Sequence, residues 1–145
     1  MKKIILVFIV SLFSITATYG QWPDIPVDWD WTSGQCNCDN AIDSVFLVSI
    51  YIVDVANGYH GVYADSTYVS AGAENHTSFP SEDVETYCHE NNYQYTPSFV
   101  VSISVKMICV YQSQIVVCRG RVNFGPFSCL DFNNGLGSLS VPIAP

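Results

Sequence analysis

Six cysteines constrain the fold of this 145-residue chain more than any other feature of its sequence. An even number of cysteines in so short a chain is typical of a secreted domain stabilised by disulfides. The six are Cys36, Cys38, Cys88, Cys109, Cys118 and Cys129. In an extended segment Cys36 and Cys38 point to the same face, so they are badly placed to bond each other and well placed to reach two separate partners. We therefore expect three disulfides, whose connectivity the sequence leaves open.

The spacing of the reactive residues disfavours metal binding and catalysis. Zinc sites favour a longer spacer between paired cysteines than the single residue between Cys36 and Cys38. The histidines, His60, His76 and His89, are far apart, and no hydrolase motif or phosphate-binding loop occurs. We expect no metal site, no cofactor and no catalytic residue, unless carboxylates converge in the folded chain.

The amino-terminal residues predict export. Two lysines supply positive charge, residues 4–15 are nearly all apolar, and Thr18 and Gly20 are small residues of the kind that a signal peptidase requires. We expect residues 1–20 to be a signal peptide and the protein to be secreted and extracellular, or periplasmic if its source is bacterial. No later stretch approaches the ~20 apolar residues of a membrane-spanning helix, so we expect no membrane span.

Charge limits the classes of partner. Without residues 1–20 the chain keeps three bases, Lys106, Arg119 and Arg121, against thirteen acids, a formal net charge of −10. Nucleic acids and anionic membranes are therefore unsuitable partners, because binding them depends on Lys and Arg. The acidic surface either keeps the protein dispersed or attracts cations such as Ca2+ or a basic partner protein. Arg119 and Arg121 flank Gly120, where they bind a carboxylate or sulfate, pair with the protein's own acids, or protect a sheet edge.

Runs of β-branched and aromatic residues, bounded by Gly, Asn, Pro and Ser, predict an all-β fold. We expect a single-domain β-sandwich, or a flattened barrel, of six to seven mainly antiparallel strands stapled by disulfides, with one short helix. The first hairpin is predicted to join residues 44–55 to residues 59–69. Its type I′ turn requires positive φ at Asn57 and Gly58.

The second predicted hairpin joins residues 98–111 to residues 114–124. If Gln112-Ser113 forms its turn, Cys109 and Cys118 lie one diagonal step apart on the same face; if Ser113-Gln114 forms it, they face each other directly. The remaining predicted elements are short strands over 127–132 and 136–143, and a helix over 81–90 that Ser81 caps.

Residues 21–43 are predicted to be an amino-terminal arm that folds as one unit with the β-rich domain, residues 44–145. All three tryptophans of the chain lie in this arm, interleaved with carboxylates. The candidate ligand-binding residues there are Trp22, Trp29, Trp31, Asp28 and Asp30. Aromatic faces beside carboxylates can hold a sugar, and the two Asp side chains can ligate Ca2+. The alternative is a structural clamp, in which the Trp side chains tie the arm down over the edge of the sandwich.

Two further surface sites are predicted. Tyr59 and Tyr63 fall on one strand face with Gly61 between them, a flat amphipathic surface suited to a protein or a glycan. Asn75 begins an Asn-His-Thr triplet, which is an N-glycosylation acceptor if the source is eukaryotic.

These observations favour a secreted, acidic, disulfide-stabilised binding or structural protein that recognises an extracellular protein or glycan without catalysis. One alternative is a small secreted hydrolase whose carboxylates converge in the fold, with two of them buried in a cleft. The other is a carrier of an apolar ligand, which requires a closed cavity between the sheets.

Overall fold

Apolar and polar residues alternate along most strands, and this alternation produces two sheets that pack face to face. The computed structural model describes residues 20–31, 36, 38–72, 74–91 and 96–145. Its elements are β1 (Ile25–Asp30), β2 (Asp43–Asp54), β3 (His60–Ser70), β4 (His76–Phe79), α1 (Glu82–Asn91), β5 (Phe99–Val110), β6 (Gln114–Phe127), α2 (Cys129–Asn134) and β7 (Leu139–Pro142). The strand orders are β4-β1-β7 in one sheet and β3-β2-β5-β6 in the other. The predicted all-β sandwich of mainly antiparallel strands is confirmed, with β1 and β7 running parallel.

The core lies between the two sheets. Even-numbered residues of β2 point inward, as do odd-numbered residues of β5, because these two strands pair without a register shift. From the four-stranded sheet, Phe46 and Ile103 are fully buried; from the three-stranded sheet, Val27 and Val141 pack into the same cluster. Burial of each such side chain stabilises the fold by about 1.5–3 kcal/mol.

The amino-terminal arm is part of this core. Residues 25–30 form β1, which is the central strand of the three-stranded sheet rather than a segment laid over a sheet edge. Inward side chains alternate along it, since Ile25, Val27 and Trp29 are buried and the residues between them are not. The arm is therefore held by the hydrogen bonds of a central strand on both sides, and not only by Trp side chains packed over a sheet edge as the clamp prediction has it.

The first hairpin forms, but its turn is displaced from the predicted position. β2 and β3 are joined by residues 55–59, and positive φ angles occur at Gly58 (62°) and Tyr59 (63°). The prediction of positive φ at Asn57 is wrong, because the connection is a five-residue loop and its left-handed pair begins one residue later. The amide of His60 donates to the carbonyl of Asn57 and closes this loop.

The second hairpin turns through residues 111–113, one residue more than either predicted turn. A register shift beside Val117 then places Cys118 opposite Met107. Cys109 therefore lies one diagonal step from Cys118 on the inner face. This is the relation expected from a Gln112-Ser113 turn, although the turn itself is longer.

The helix predicted over 81–90 forms as α1, with Val84 and Cys88 buried on one side. The hydroxyl of Ser81, which the sequence assigned to capping this helix, donates to the carbonyl of Trp22. Within the ranges described, no helix is long and apolar enough to cross a membrane.

The strand predicted over residues 127–132 is wrong, because a second helix, α2, begins there. Ser128 and Asp131 form a capping box, in which each side chain accepts the backbone N–H of the other residue. The helix ends at Gly135, whose φ of 85° suits glycine. Of the second predicted strand, 136–143, the part from Leu139 to Pro142 forms β7.

The three disulfides are Cys36–Cys118, Cys38–Cys109 and Cys88–Cys129, with Cα separations of 5.8, 5.3 and 6.0 Å. The prediction that the Cys36 and Cys38 sulfurs bond separate partners is confirmed, and no cysteine is free. The first two disulfides fasten the segment after β1 to adjacent strands of the four-stranded sheet, and the third joins α1 to α2. Each closes a long loop, which in the chain-entropy account stabilises the fold by about 2–4 kcal/mol.

Candidate functional site

The outward side of the four-stranded sheet is the candidate site, and we call it the outer face. Paired residues of neighbouring strands project to the same side, so the register defines its rows. The three central rows, each read from β3 through β2 and β5 to β6, are Tyr68, Leu47, Lys106 and Arg119; Ser66, Ser49, Ser104 and Arg121; and Ala64, Tyr51, Ser102 and Asn123. All of these side chains are exposed or half-buried.

Two tyrosines mark the β2–β3 half of the outer face. Tyr51 is 46% exposed and Tyr68 is 63% exposed. The Tyr51 ring lies beside Gly61, where an added Cβ would be 3.0 Å from the phenol oxygen. Gly61 thus leaves room for the ring to lie against the sheet. Tyr51 and Tyr68 are separated by the serine row, roughly 13 Å along the strands.

Three cations mark the β5–β6 half. Lys106 lies directly opposite Arg119, and Arg121 follows on the same face of β6. The three side chains line a groove of about 400 Å3 together with Ser104 and Gly120. None of the three forms an ion pair with an acidic residue in the part of the chain that the structure describes.

The predicted ligand-binding tryptophans are distributed over different elements. Trp29 is 3% exposed and packs on Phe46, with 5.2 Å between ring centroids. Trp31 is half-buried against the same Phe46, at 5.7 Å. Trp22 is half-buried against α1, where its amide donates to Glu85 and its ring lies 6.0 Å from His89. The indole N–H groups of Trp29 and Trp31 find no acceptor among the described residues.

The carboxylates of Asp28 and Asp30 project from β1 on the side opposite to Trp29, because side chains alternate along a strand. The strand therefore does not bring these carboxylates and the Trp29 ring together on one surface. Asp28 accepts a hydrogen bond from the hydroxyl of Ser138, and Asp30 is exposed. Within the described ranges, no group of three or more His, Cys, Asp or Glu side chains is placed to hold a metal ion.

Tyr59 and Tyr63 do not share a strand face. Tyr59 is 73% exposed and lies in the loop before β3, and the register shift at Ile52 and Val53 interrupts the alternation between it and Tyr63. Tyr63 lies on the inner side, half-buried, and its hydroxyl donates to Asp65. Burial, together with this hydrogen bond and the nearby carboxylates, raises the pKa of Tyr63 well above its usual value, so the phenol stays neutral.

Asn75 is half-buried immediately before β4, and its backbone carbonyl accepts from the amide of Trp29. Glycosylation of this residue stays a prediction.

The buried carboxylate in the described part of the chain belongs to Asp54, which is fully covered. It accepts hydrogen bonds from the amides of Ala56 and Ser98 and from the hydroxyl of Tyr87. These bonds fix the turn after β2 to the start of β5. A second buried carboxylate, which would favour the hydrolase alternative, does not occur among the described residues.

A second concavity, of about 380 Å3, lies beside the Cys88–Cys129 disulfide. Trp22, His89 and Leu130 are among its lining residues, and Leu130 is exposed. This cleft therefore opens at the surface, at the ends of α1 and α2, and does not lie between the sheets as an apolar-ligand carrier requires.

The chain matches no protein-family model, curated protein or solved structure. Function therefore rests on the geometry of the chain itself.

Three residues of the outer face, Tyr51, Tyr68 and Lys106, are not among the ligand contacts predicted from the sequence. Tyr51 and Lys106 stand at solvent-facing positions of strands that were recognised, β2 and β5. The available signal was the strand parity, since odd positions of β2 and even positions of β5 face away from the core. Combining that parity with the cross-strand register places Lys106 beside Arg119, and Tyr51 on the same face two strands away from β6.

Proposed function

We propose that this chain is a secreted binding protein that recognises a glycan on the outer face of the four-stranded sheet. The observation that carries the proposal is the exposure of Tyr51 and Tyr68 on either side of a row of serines. Tyrosine rings give a sugar an apolar stacking surface with a polar tip. Serine hydroxyls beside them can donate to and accept from sugar hydroxyls.

The composition of the outer face favours a glycan over a protein partner. The row between the two tyrosines contains Ser66, Ser49 and Ser104. Serine is depleted at protein–protein interfaces, whose fully buried centres are more apolar than the surrounding surface. A polar centre flanked by aromatic rings suits an extended, hydroxyl-rich ligand.

Secretion is supported by the three disulfides, which form and persist in oxidising compartments. The predicted signal peptide, residues 1–20, lies outside the described residues apart from Gly20.

A structural role without a ligand is the competing proposal. The Trp and Asp residues of the arm stay predicted ligand contacts, with Trp22 at the cleft beside α1 the most accessible to test.

The test is binding of the purified, oxidised protein to an array of neutral and anionic oligosaccharides. Wild-type protein should bind at least one oligosaccharide saturably. Tyr51→Ser and Tyr68→Ser should each weaken that binding roughly tenfold, since stacking of this kind contributes about 1–3 kcal/mol per ring by analogy with aromatic stacking on nucleic-acid bases.

Tyr59→Asn is the matched control, because Tyr59 is the more exposed side chain but lies outside the outer face. It should bind as wild type does. Equal loss in all three variants, or no binding by the wild-type protein to any oligosaccharide, would overturn the proposal.

A further inference from the structure

We infer that the glycan is anionic, and that Lys106, Arg119 and Arg121 bind its sulfate ester or carboxylate. This inference rests on the proposed function and adds the chemical class of the ligand. Arg presents a planar fork of N–H donors that matches sulfate and carboxylate oxygens, and Lys adds a point charge. The serine row connects this cluster to the tyrosine half, since Arg121 completes the row of Ser66, Ser49 and Ser104.

The three cations stand in a repulsive arrangement that the chain does not relieve. Like charges directly opposite each other on neighbouring strands are destabilising, and Lys106 faces Arg119 in this way. Thirteen acids are available in the chain, yet none in the described structure pairs with the cluster. A bound anion would remove this repulsion. An anionic ligand therefore gains more binding free energy at this position than a neutral ligand does.

The acids are placed away from the outer face. Three acidic residues lie on the four strands of this sheet. Asp43, the first residue of β2, points outward, and Asp54 and Asp65 point to the inner side. At physiological ionic strength, charges farther away than ~8 Å are largely screened. An anion in the groove therefore experiences the three cations more strongly than the acids elsewhere in the chain.

Protection of the sheet edge does not account for Arg119. β6 is an edge strand, but the amide and carbonyl of Arg119 already pair with Ala144 of the carboxyl-terminal segment, at 2.9 and 3.2 Å. Both backbone hydrogen-bonding groups of this residue are thus paired, so it needs no charged side chain to prevent further pairing at that point.

Gly120 fixes the direction in which both arginines point. An added Cβ there would collide with the carbonyl oxygen of Pro142, so Gly120 faces inward against the carboxyl-terminal segment. Its neighbours Arg119 and Arg121 must therefore project from the opposite side, beside Lys106. The cluster is held by close packing of the backbone on its inner side.

The experiment compares polymers that differ in charge alone. Dextran sulfate is measured against dextran, and polygalacturonate against its methyl ester, by calorimetry at two salt concentrations. We expect tighter binding of one or both anionic forms than of their neutral counterparts, weakening with added salt. The two pairs distinguish a sulfate ester from a carboxylate as the group bound.

Lys106→Gln, Arg119→Gln and Arg121→Gln should each weaken binding of the anionic polymer by on the order of tenfold, because a charge-assisted hydrogen bond is lost. Ser78→Glu is the matched control, since it changes the net charge by the same amount on β4 of the other sheet, where Ser78 is exposed. It should bind as wild type does. The melting temperatures of Lys106→Gln and Arg119→Gln should equal or exceed that of the wild type, because like-charge repulsion is removed.

The outcomes separate this inference from the proposed function. Binding to neutral and anionic forms with equal affinity, sensitive to Tyr51→Ser but not to Arg119→Gln, would overturn the anionic ligand and retain the glycan-binding face. Loss of binding in Ser78→Glu equal to that in Arg119→Gln would also overturn the inference, since only net charge would then matter. Absence of binding to every polymer would overturn the anionic ligand, and absence of binding to every oligosaccharide of the array as well would reject both.

Discussion

Close approach of the backbone is the main reason that particular residues of β6 cannot be exchanged. Gly120→Ala places a methyl group against the carbonyl of Pro142, so either β6 or the carboxyl-terminal segment must move. We expect a loss of about 1–3 kcal/mol in the free energy of unfolding, as for other overpacked sites. Urea denaturation measures it. Gly137→Ala is the control, because nothing lies within 4 Å of its added Cβ, and equal midpoints for the two variants would contradict the packing.

The loop before β3 contains a residue that is poorly suited to its backbone conformation. Tyr59 has a φ of 63°, which a bulky side chain adopts at a cost, whereas asparagine tolerates it. Because Tyr59 is largely exposed, little packing is lost on substitution. Tyr59→Asn should therefore raise the free energy of unfolding by about 0.5–1 kcal/mol. A lower melting temperature by calorimetry would show that the ring stabilises the loop through contacts.

At the residue scale, the sequence identifies unusual side chains better than it identifies their neighbours. Arg119 and Arg121 are conspicuous because bases are scarce, but their position beside Lys106 depends on a register set by a three-residue turn and a shift at Val117. A displacement of one residue would send every side chain of β6 to the other face. For the same reason the sequence placed Tyr59 and Tyr63 together although the loop separates them.

Among the elements, those with long apolar runs were predictable and those with short ones were not. The strands β2 and β5 follow from runs of β-branched residues over many positions. The strand β1 has six residues with a clear alternation, but the tryptophans and carboxylates within and beside it suggest an arm laid over the edge of the sandwich. The helix α2 has six residues and no periodicity to detect, so its signal was the Ser128-to-Asp131 capping box alone.

The capping box makes the stability of α2 depend on pH. Hydrogen bonds from the backbone and side chain of Ser128 hold the pKa of Asp131 below its usual value. A carboxylate with a depressed pKa stabilises the fold above its unfolded-state pKa, and this stabilisation is lost as the pH falls through the folded-state value. Asp131→Asn should therefore lower the denaturation midpoint slightly at pH 7, with a difference from wild type that disappears near pH 2.

Asp39→Asn is the control for this pH dependence, because Asp39 is exposed in the turn before β2 and its carboxylate has no hydrogen bond among those described. It should show little difference from wild type at either pH. A difference in denaturation midpoint between Asp131→Asn and wild type that stays constant from pH 7 to pH 2 would show that the capping bond does not depend on ionisation of Asp131.

At the scale of the whole molecule, the two sides of the four-stranded sheet carry different kinds of residue. The inner side packs on the three-stranded sheet and carries the stability of the fold. The outer face carries bases, tyrosines and serines that the core does not use. We propose that residues 21–43 and 44–145 unfold together, since β1 lies between β4 and β7 and Cys36 and Cys38 are bonded to β6 and β5.

That proposal makes Trp29 the side chain of the arm on which the whole fold depends most. Its ring is buried on β1 against Phe46 of the opposite sheet, so Trp29→Ala opens a cavity between the sheets and should cost about 3–5 kcal/mol in the free energy of unfolding. Trp22→Ala is the matched control, because its half-buried ring lies on α1 and should cost less. Urea denaturation followed by tryptophan emission measures both. Cooperative unfolding of the wild type should shift this emission from blue to red in one transition, and a Trp29→Ala midpoint no lower than that of Trp22→Ala would place the main anchor of the arm elsewhere.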